Sequence, residues 1–200
     1  MNCQIMKNIL VISAHPDDEI LGCGGTIAKH SHNGDTINQI FVSDGESSRN
    51  LSKEKLKSLV NKRKKIAREA AKIIGISKSH FLNLRDNQLD QVSLLKITKS
   101  LEAIINKLNP EVIYTHSESD LNIDHQIVHR AVMTACRPLP GQTVKEIYSF
   151  EVISSTEWGL TDKHNTFYPN FFNDITQFVD KKIEALKIYK DELRPFPHPR

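Results

Sequence analysis

What most constrains the fold of this 200-residue chain is a regular alternation of short β-branched runs with stretches of helical length. Asn8–Ser13 (NILVIS) has the composition of a strand buried in a parallel sheet, and 19–33 follows with helical length. Thr36–Ser43 reads as the second strand, 51–74 as a long helix closed by Gly75, and 80–84 as a third strand. A helix over 93–108 stops before Pro110, whose ring cannot continue it. A strand over 111–115, a helix over 123–136, the strand Glu146–Phe150 and a helix over 175–193 complete the pattern. Such alternation implies right-handed crossovers and an α/β fold, a mostly parallel sheet flanked by helices on both faces.

Ligands of such sheets bind beyond the carboxyl ends of the strands. The loops 14–18, 44–50, 85–90 and 116–124 are therefore expected to converge on one crevice.

The length suits one domain spanning 1–200, able to bury about 70% of the surface of its unfolded chain, and no repeat, low-complexity segment or linker divides it. With 27 basic and 24 acidic side chains the net charge is +3. The most basic stretch, 53–72, interleaves its cations with Leu, Val, Ile and Ala, the pattern of a solvated helix face rather than a nucleic-acid footprint. Cys3, Cys23 and Cys136 form no C-x-x-C pair, so neither a disulfide framework nor a zinc finger is expected, and a reducing compartment fits. The first apolar run is too short for a signal sequence or a membrane span; the expected location is the cytoplasm.

Directly after the first strand comes Ala14-His15-Pro16-Asp17-Asp18-Glu19, an imidazole and two adjacent carboxylates at the rim of the sheet. A catalytic metal of the zinc type needs about three N or O ligands and an open position. Water activation needs a separate carboxylate to accept the proton. Neighbouring loop residues point different ways, so one Asp can bind metal while the other faces water. A third ligand is available from Asp124-His125, past the 111–115 strand, giving a set of His15, Asp18 and His125. The plainer reading is that Asp17 or Asp18 only caps the helix that follows.

The run His15 to Glu19, followed by Leu21-Gly22-Cys23-Gly24-Gly25-Thr26-Ile27, resembles the signature of the LmbE/PIG-L deacetylases. Ser43-Asp44-Gly45 and Asp120-Leu121-Asn122-Ile123-Asp124-His125 resemble that family's later motifs, as do 167–172, 182–186 and Pro197-His198-Pro199-Arg200. The resemblance implies a Rossmann-like three-layer fold and a zinc ion on His15, Asp18 and His125, with ferrous iron suited to the same donors. It also implies Asp17 as the general base that activates a metal-bound water, and an N-acetylated sugar or sugar conjugate of N-acetylglucosamine type as substrate. Some relatives carry a histidine, thought to stabilise the tetrahedral intermediate, where this chain has Asn122, which can donate only a neutral hydrogen bond. The chain ends at the Pro-His-Pro-Arg element, where relatives are expected to continue, which suggests a C-terminally shortened form.

Arg63, Arg85 and Asp86 are candidates for gripping sugar hydroxyls or a phosphate, with surface solvation as the alternative for Arg63. His116 is a candidate for orienting a metal ligand through its ring. His129 lies four residues after His125 but is not expected to be a ligand. Gly22, Gly24 and Gly25 lack a P-loop lysine and are better explained by close packing of their helix. His30, His32, His80, His164 and His198 carry no functional signal. Two competing readings remain: a non-haem iron enzyme, whose two-histidine, one-carboxylate set is the same, and a non-catalytic sugar- or nucleotide-binding module. Self-association into a homo-oligomer is left open.

Overall fold

The computed structural model describes residues 6–159 and 166–200, so Cys3 and His164 lie outside the described residues. The strands are β1 Asn8–Ser13, β2 Thr36–Ser43, β3 Lys78–Leu84, β4 Val112–His116 and β5 Glu146–Phe150. They form one sheet in the order β3-β2-β1-β4-β5, with every pair parallel. Asn8 is in register with Thr36 and Ser13 with Phe41, while on the other side of β1 Ile9 meets Val112.

The helices are α1 Asp18–His32, α2 Lys53–Ile74, α3 Leu94–Leu108, α4 Ile123–Ala135 and α5 Val179–Ile188. Their ends follow local chemistry. The Ser52 and Ser93 side chains accept the Lys55 and Lys96 N–H groups, so α2 and α3 begin just after a capping serine. Gly75 closes α2 at φ 82°, a left-handed conformation that costs a glycine little.

Because strand side chains alternate, β1 feeds two cores at once. Ile9 and Val11 join Phe41 and Tyr114 beneath α1, α2 and α5. Leu10 and Ile12 join Ile40 and Ile113 beneath α3 and α4. Burial on both faces is why the NILVIS run is continuously apolar rather than alternating. The three-layer α/β architecture expected from the sequence is the one found.

One expected element is different. The region 175–193 is not a single helix but a short 3-10 turn Thr176–Phe178, then α5, then a second turn Lys190–Glu192. The break at Tyr189 lets its buried hydroxyl donate to Glu19 Oε1 at 3.0 Å and brings Glu192 against Arg63. Among the described residues no helix is long and apolar enough to cross a membrane.

The direction of strand addition reverses between β1 and β4. That reversal opens a crevice between the loops that leave these two strands, and the site lies there.

Candidate active site

All four loops expected to converge do so. His15 to Asp18, then Gly45, Ser48 and Arg49, then Asp86 and Asn87, and finally Asn122 with His125, line one polar cleft of about 250 Å³. Arg63, Ser154, Ser155, Glu192 and Arg200 close its remaining sides.

At its floor His15 Nδ1 lies 3.2 Å from Asp18 Oδ2 and 3.1 Å from His125 Nε2, and Asp18 Oδ2 lies 3.3 Å from that Nε2. Three donor atoms at such spacing fit adjacent corners around an ion whose ligand distances are about 2.0–2.2 Å. The surrounding field fits as well. Burial disfavours charge on His15 and His125, yet nearby carboxylates outweigh it and raise both. Burial also opposes ionisation of Asp18, but His125 and His15 more than offset that and hold its carboxyl well below the usual range. Two imidazole nitrogens and a carboxylate oxygen meeting at this spacing are a donor set that fits a metal ion.

Each histidine of the set is aimed by carboxylates on its far nitrogen, as metal-binding imidazoles usually are. His15 Nε2 lies 3.1 Å from Asp86 Oδ1 and 3.2 Å from Asp124 Oδ2. Asp124 is itself fixed by the backbone N–H groups of Asn87 and Leu89. His125 Nδ1 lies 3.0 Å from Asp120 Oδ2, without the alignment of a full hydrogen bond. Ser155 and Thr156 hydroxyls donate to Asp120. The supporting roles of Asp120 and Asp124 escaped the sequence reading, although both lie inside its second motif.

Asp17 occupies the N-cap position of α1, yet its side chain makes no capping hydrogen bond. Its carbonyl starts the helix by accepting from Ile20 and Leu21. Its backbone sits at φ 127°, a region non-glycine residues seldom adopt, and Glu19 Oε2 holds it there by accepting its N–H at 3.0 Å. The carboxylate is left to face the cleft, where Arg200 Nη1 donates to Oδ2 at 3.1 Å. Burial first, and then the neighbouring Asp18, push its pKa up to about 7. Asp17 and Asp18 thus stand in distinct settings: one turned into the donor triangle, the other toward a cation across the cleft.

The remaining candidates are placed as follows. Asp86 turns one oxygen to His15 and accepts the Ser48 hydroxyl on the other. Arg85 is exposed and does not line the cleft, because adjacent residues leaving a strand face opposite ways and Asp86 takes the inward one. Arg63 borders the cleft but is buried, its Nε on Glu46 at 2.8 Å and its Nη2 on Glu192. That guanidinium holds Glu192, and both line the cleft. Asn122 Oδ1 caps α4 by accepting the Asp124 N–H at 2.8 Å, while Nδ2 lies 3.4 Å from Asn87 Oδ1. His116 Nε2 accepts the Ala14 N–H at 2.8 Å. His129 Nδ1 donates to the His116 carbonyl, and His129 is in none of the metal-competent groups among the described residues.

Glu19, Tyr189, Glu192 and Arg200 were also missed as parts of this site. For Arg200 the Pro-His-Pro-Arg element was a visible signal without a visible location. For Tyr189 and Glu192 there was none.

The model of the PIG-L family, described as GlcNAc-PI de-N-acetylase, matches residues 10–136. A Bacillus cereus protein described as "Probable N-acetyl-alpha-D-glucosaminyl L-malate deacetylase 2" is 27% identical, over 93% of this chain and 84% of its own. The 4-oxalmesaconate hydratase of Pseudomonas putida is 28% identical, over 90% of this chain and 72% of its own. Among solved structures, the N,N'-diacetylchitobiose deacetylase of Pyrococcus horikoshii matches 96% of this chain and 72% of that one with a TM-score of 0.77. At 23% identity that likeness is one of fold.

Proposed function

The chain belongs to the PIG-L family, and on that premise we propose that it is a metal-dependent hydrolase removing the acetyl group from an N-acetylated sugar or sugar conjugate of N-acetylglucosamine type. What carries the reading is the triangle of His15 Nδ1, Asp18 Oδ2 and His125 Nε2, with the carboxylate of Asp17 in the same cleft.

His15, Asp18 and His125 would hold the ion, zinc by preference and ferrous iron on the same donors. Bound there, it supplies Lewis-acid polarisation of an acyl oxygen and lowers the pKa of water. Asp17 accepts the proton of the water that attacks the acetamide carbon. Carrying that proton, Asp17 donates it to the sugar nitrogen as the C–N bond breaks, and acetate and a free amine leave. Asp124 and Asp86 hold His15, and Asp120 holds His125, so that their ligand nitrogens face the site while the reaction runs.

The test is acetate release by the purified protein from N-acetylglucosamine, diacetylchitobiose and the N-acetylglucosaminyl malate conjugate, with and without chelator, and after zinc or ferrous iron is restored. Release that the chelator stops and a metal restores is the expected result. No acetate from any N-acetyl sugar would sink the deacetylase reading, and dioxygen uptake would favour the iron alternative. Sugar binding without turnover would leave a binding module. Hydration of 4-oxalmesaconate, run alongside, would place the chain with its Pseudomonas relative instead.

A further inference from the structure

We propose that Arg200 is the positioning residue for the base, clamping one oxygen of Asp17 so that the other is presented to the attacking water. The proposal rests on the deacetylase reading above. Being at the N-cap of α1 fixes where the Asp17 side chain starts but not how its carboxylate is turned. No capping bond restrains it, and among the described residues the one hydrogen bond that reaches this carboxylate comes from Arg200 Nη1, to Oδ2 at 3.1 Å.

Arg200 is itself held from several directions. Its Nε donates to the Ile153 carbonyl at 3.3 Å, its backbone N–H donates to His198 Nδ1 at 3.1 Å, and Nη1 lies 4.0 Å from Glu192 Oε2. Glu192 is gripped in turn by Arg63, whose Nε is bound to Glu46. The Glu46 N–H is fixed by Asp44 in the loop after β2. A line of alternating charges therefore runs from that loop through α2 to the base, ending on the guanidinium of Arg200. A flexible ammonium would not reproduce it, because Arg presents its donors in a rigid planar fork.

The clamp makes a specific kinetic statement. A misplaced reacting group costs rate in the bound complex, and a displacement of 1 Å can cost about 10²-fold. A group that only grips substrate changes KM instead. Arg200→Ala should therefore lower kcat for acetate release by about 10- to 100-fold, with KM and bound metal little changed. Arg200→Lys should recover only part of the loss. Added guanidinium ion should restore some turnover to Arg200→Ala and none to Asp17→Asn.

A rise in KM at unchanged kcat would overturn the proposal in favour of substrate binding. Loss of thermal stability with kcat intact would overturn it in favour of a tie that merely holds the 190–200 segment down. Wild-type protein that releases no acetate would remove the deacetylase reading and this role with it, whereas an active wild type beside an equally active Arg200→Ala removes this role alone.

Discussion

The imidazole of His116 lies flat against that of His125, with ring centroids 3.9 Å apart and planes 19° apart. Burial and the neighbouring His125 hold His116 well below the usual histidine range, so it stands neutral, with Nε2 accepting the Ala14 N–H at 2.8 Å. It therefore joins the loop carrying His15 and Asp18 to the ligand at the start of α4. His116→Phe keeps the stacked ring and removes the acceptor. Leaving the Ala14 N–H buried and unpaired should cost about 1–3 kcal/mol of stability. Metal affinity should fall about 10- to 100-fold, as for other partners that orient metal ligands. Denaturant unfolding and chelator competition measure the two; unchanged affinity would show that His116 is packing alone.

Asn122 spends its side-chain carbonyl oxygen on capping α4. Asn122→Ala should lose about 0.5–2 kcal/mol of stability, the worth of a helix cap. Its loss in kcat should stay below the ~10²- to 10³-fold typical of deleting an oxyanion-hole donor. A larger kinetic loss with metal content unchanged would make Nδ2 the essential donor.

Gly22 and Gly24 lie two residues apart on α1 and should respond oppositely to alanine. A Cβ on Gly22 would overlap the ring of Phe150, whereas one on Gly24 would meet Ile20 at 3.3 Å and Lys182 at 3.5 Å. Alanine in a helix interior ordinarily gains about 0.5–1 kcal/mol over glycine. Overpacking a core costs about 1–3 kcal/mol. Gly22→Ala is thus expected to destabilise, while Gly24→Ala is near neutral or stabilising. Unfolding midpoints of the two variants check the order, and the reverse order would refute the packing explanation.

The fold was legible because its signals are local and repeated. β1 and β2 are β-branched runs, and Gly75 and Pro110 mark where α2 and α3 stop. The break at Tyr189 was not legible, since 175–193 looks helical throughout and the partner that its hydroxyl reaches, Glu19, lies 170 residues away. The same division holds in the site. His15, Asp17 and Asp18 announce themselves because three chemically active groups stand together at a strand end. Whether Arg85 or Asp86 faced inward depended on how the chain leaves β3, which composition does not encode. The meeting of Asp17 with Arg200 spans 183 residues of sequence, and nothing near either residue points to the other.

The sharpest expectation separates Asp17 from Asp18, which are chemically identical and adjacent in sequence. Asp18 Oδ2 lies within 3.4 Å of ring nitrogens of His15, His116 and His125 and accepts the His15 backbone N–H, so it belongs to the donor triangle. Asp18→Ala removes one of three proposed ligands and should lower both metal occupancy and activity. Asp17 instead faces Arg200. Asp17→Asn keeps nearly the same shape and should keep the metal, but an amide cannot take the proton of the attacking water. General-base catalysis is typically worth ~10²- to 10⁴-fold, so turnover should fall by about that factor. Metal analysis beside acetate-release kinetics on both purified variants decides the matter. If Asp17→Asn came out metal-free, or Asp18→Ala kept its full complement, the work assigned to the two carboxylates would have to be exchanged.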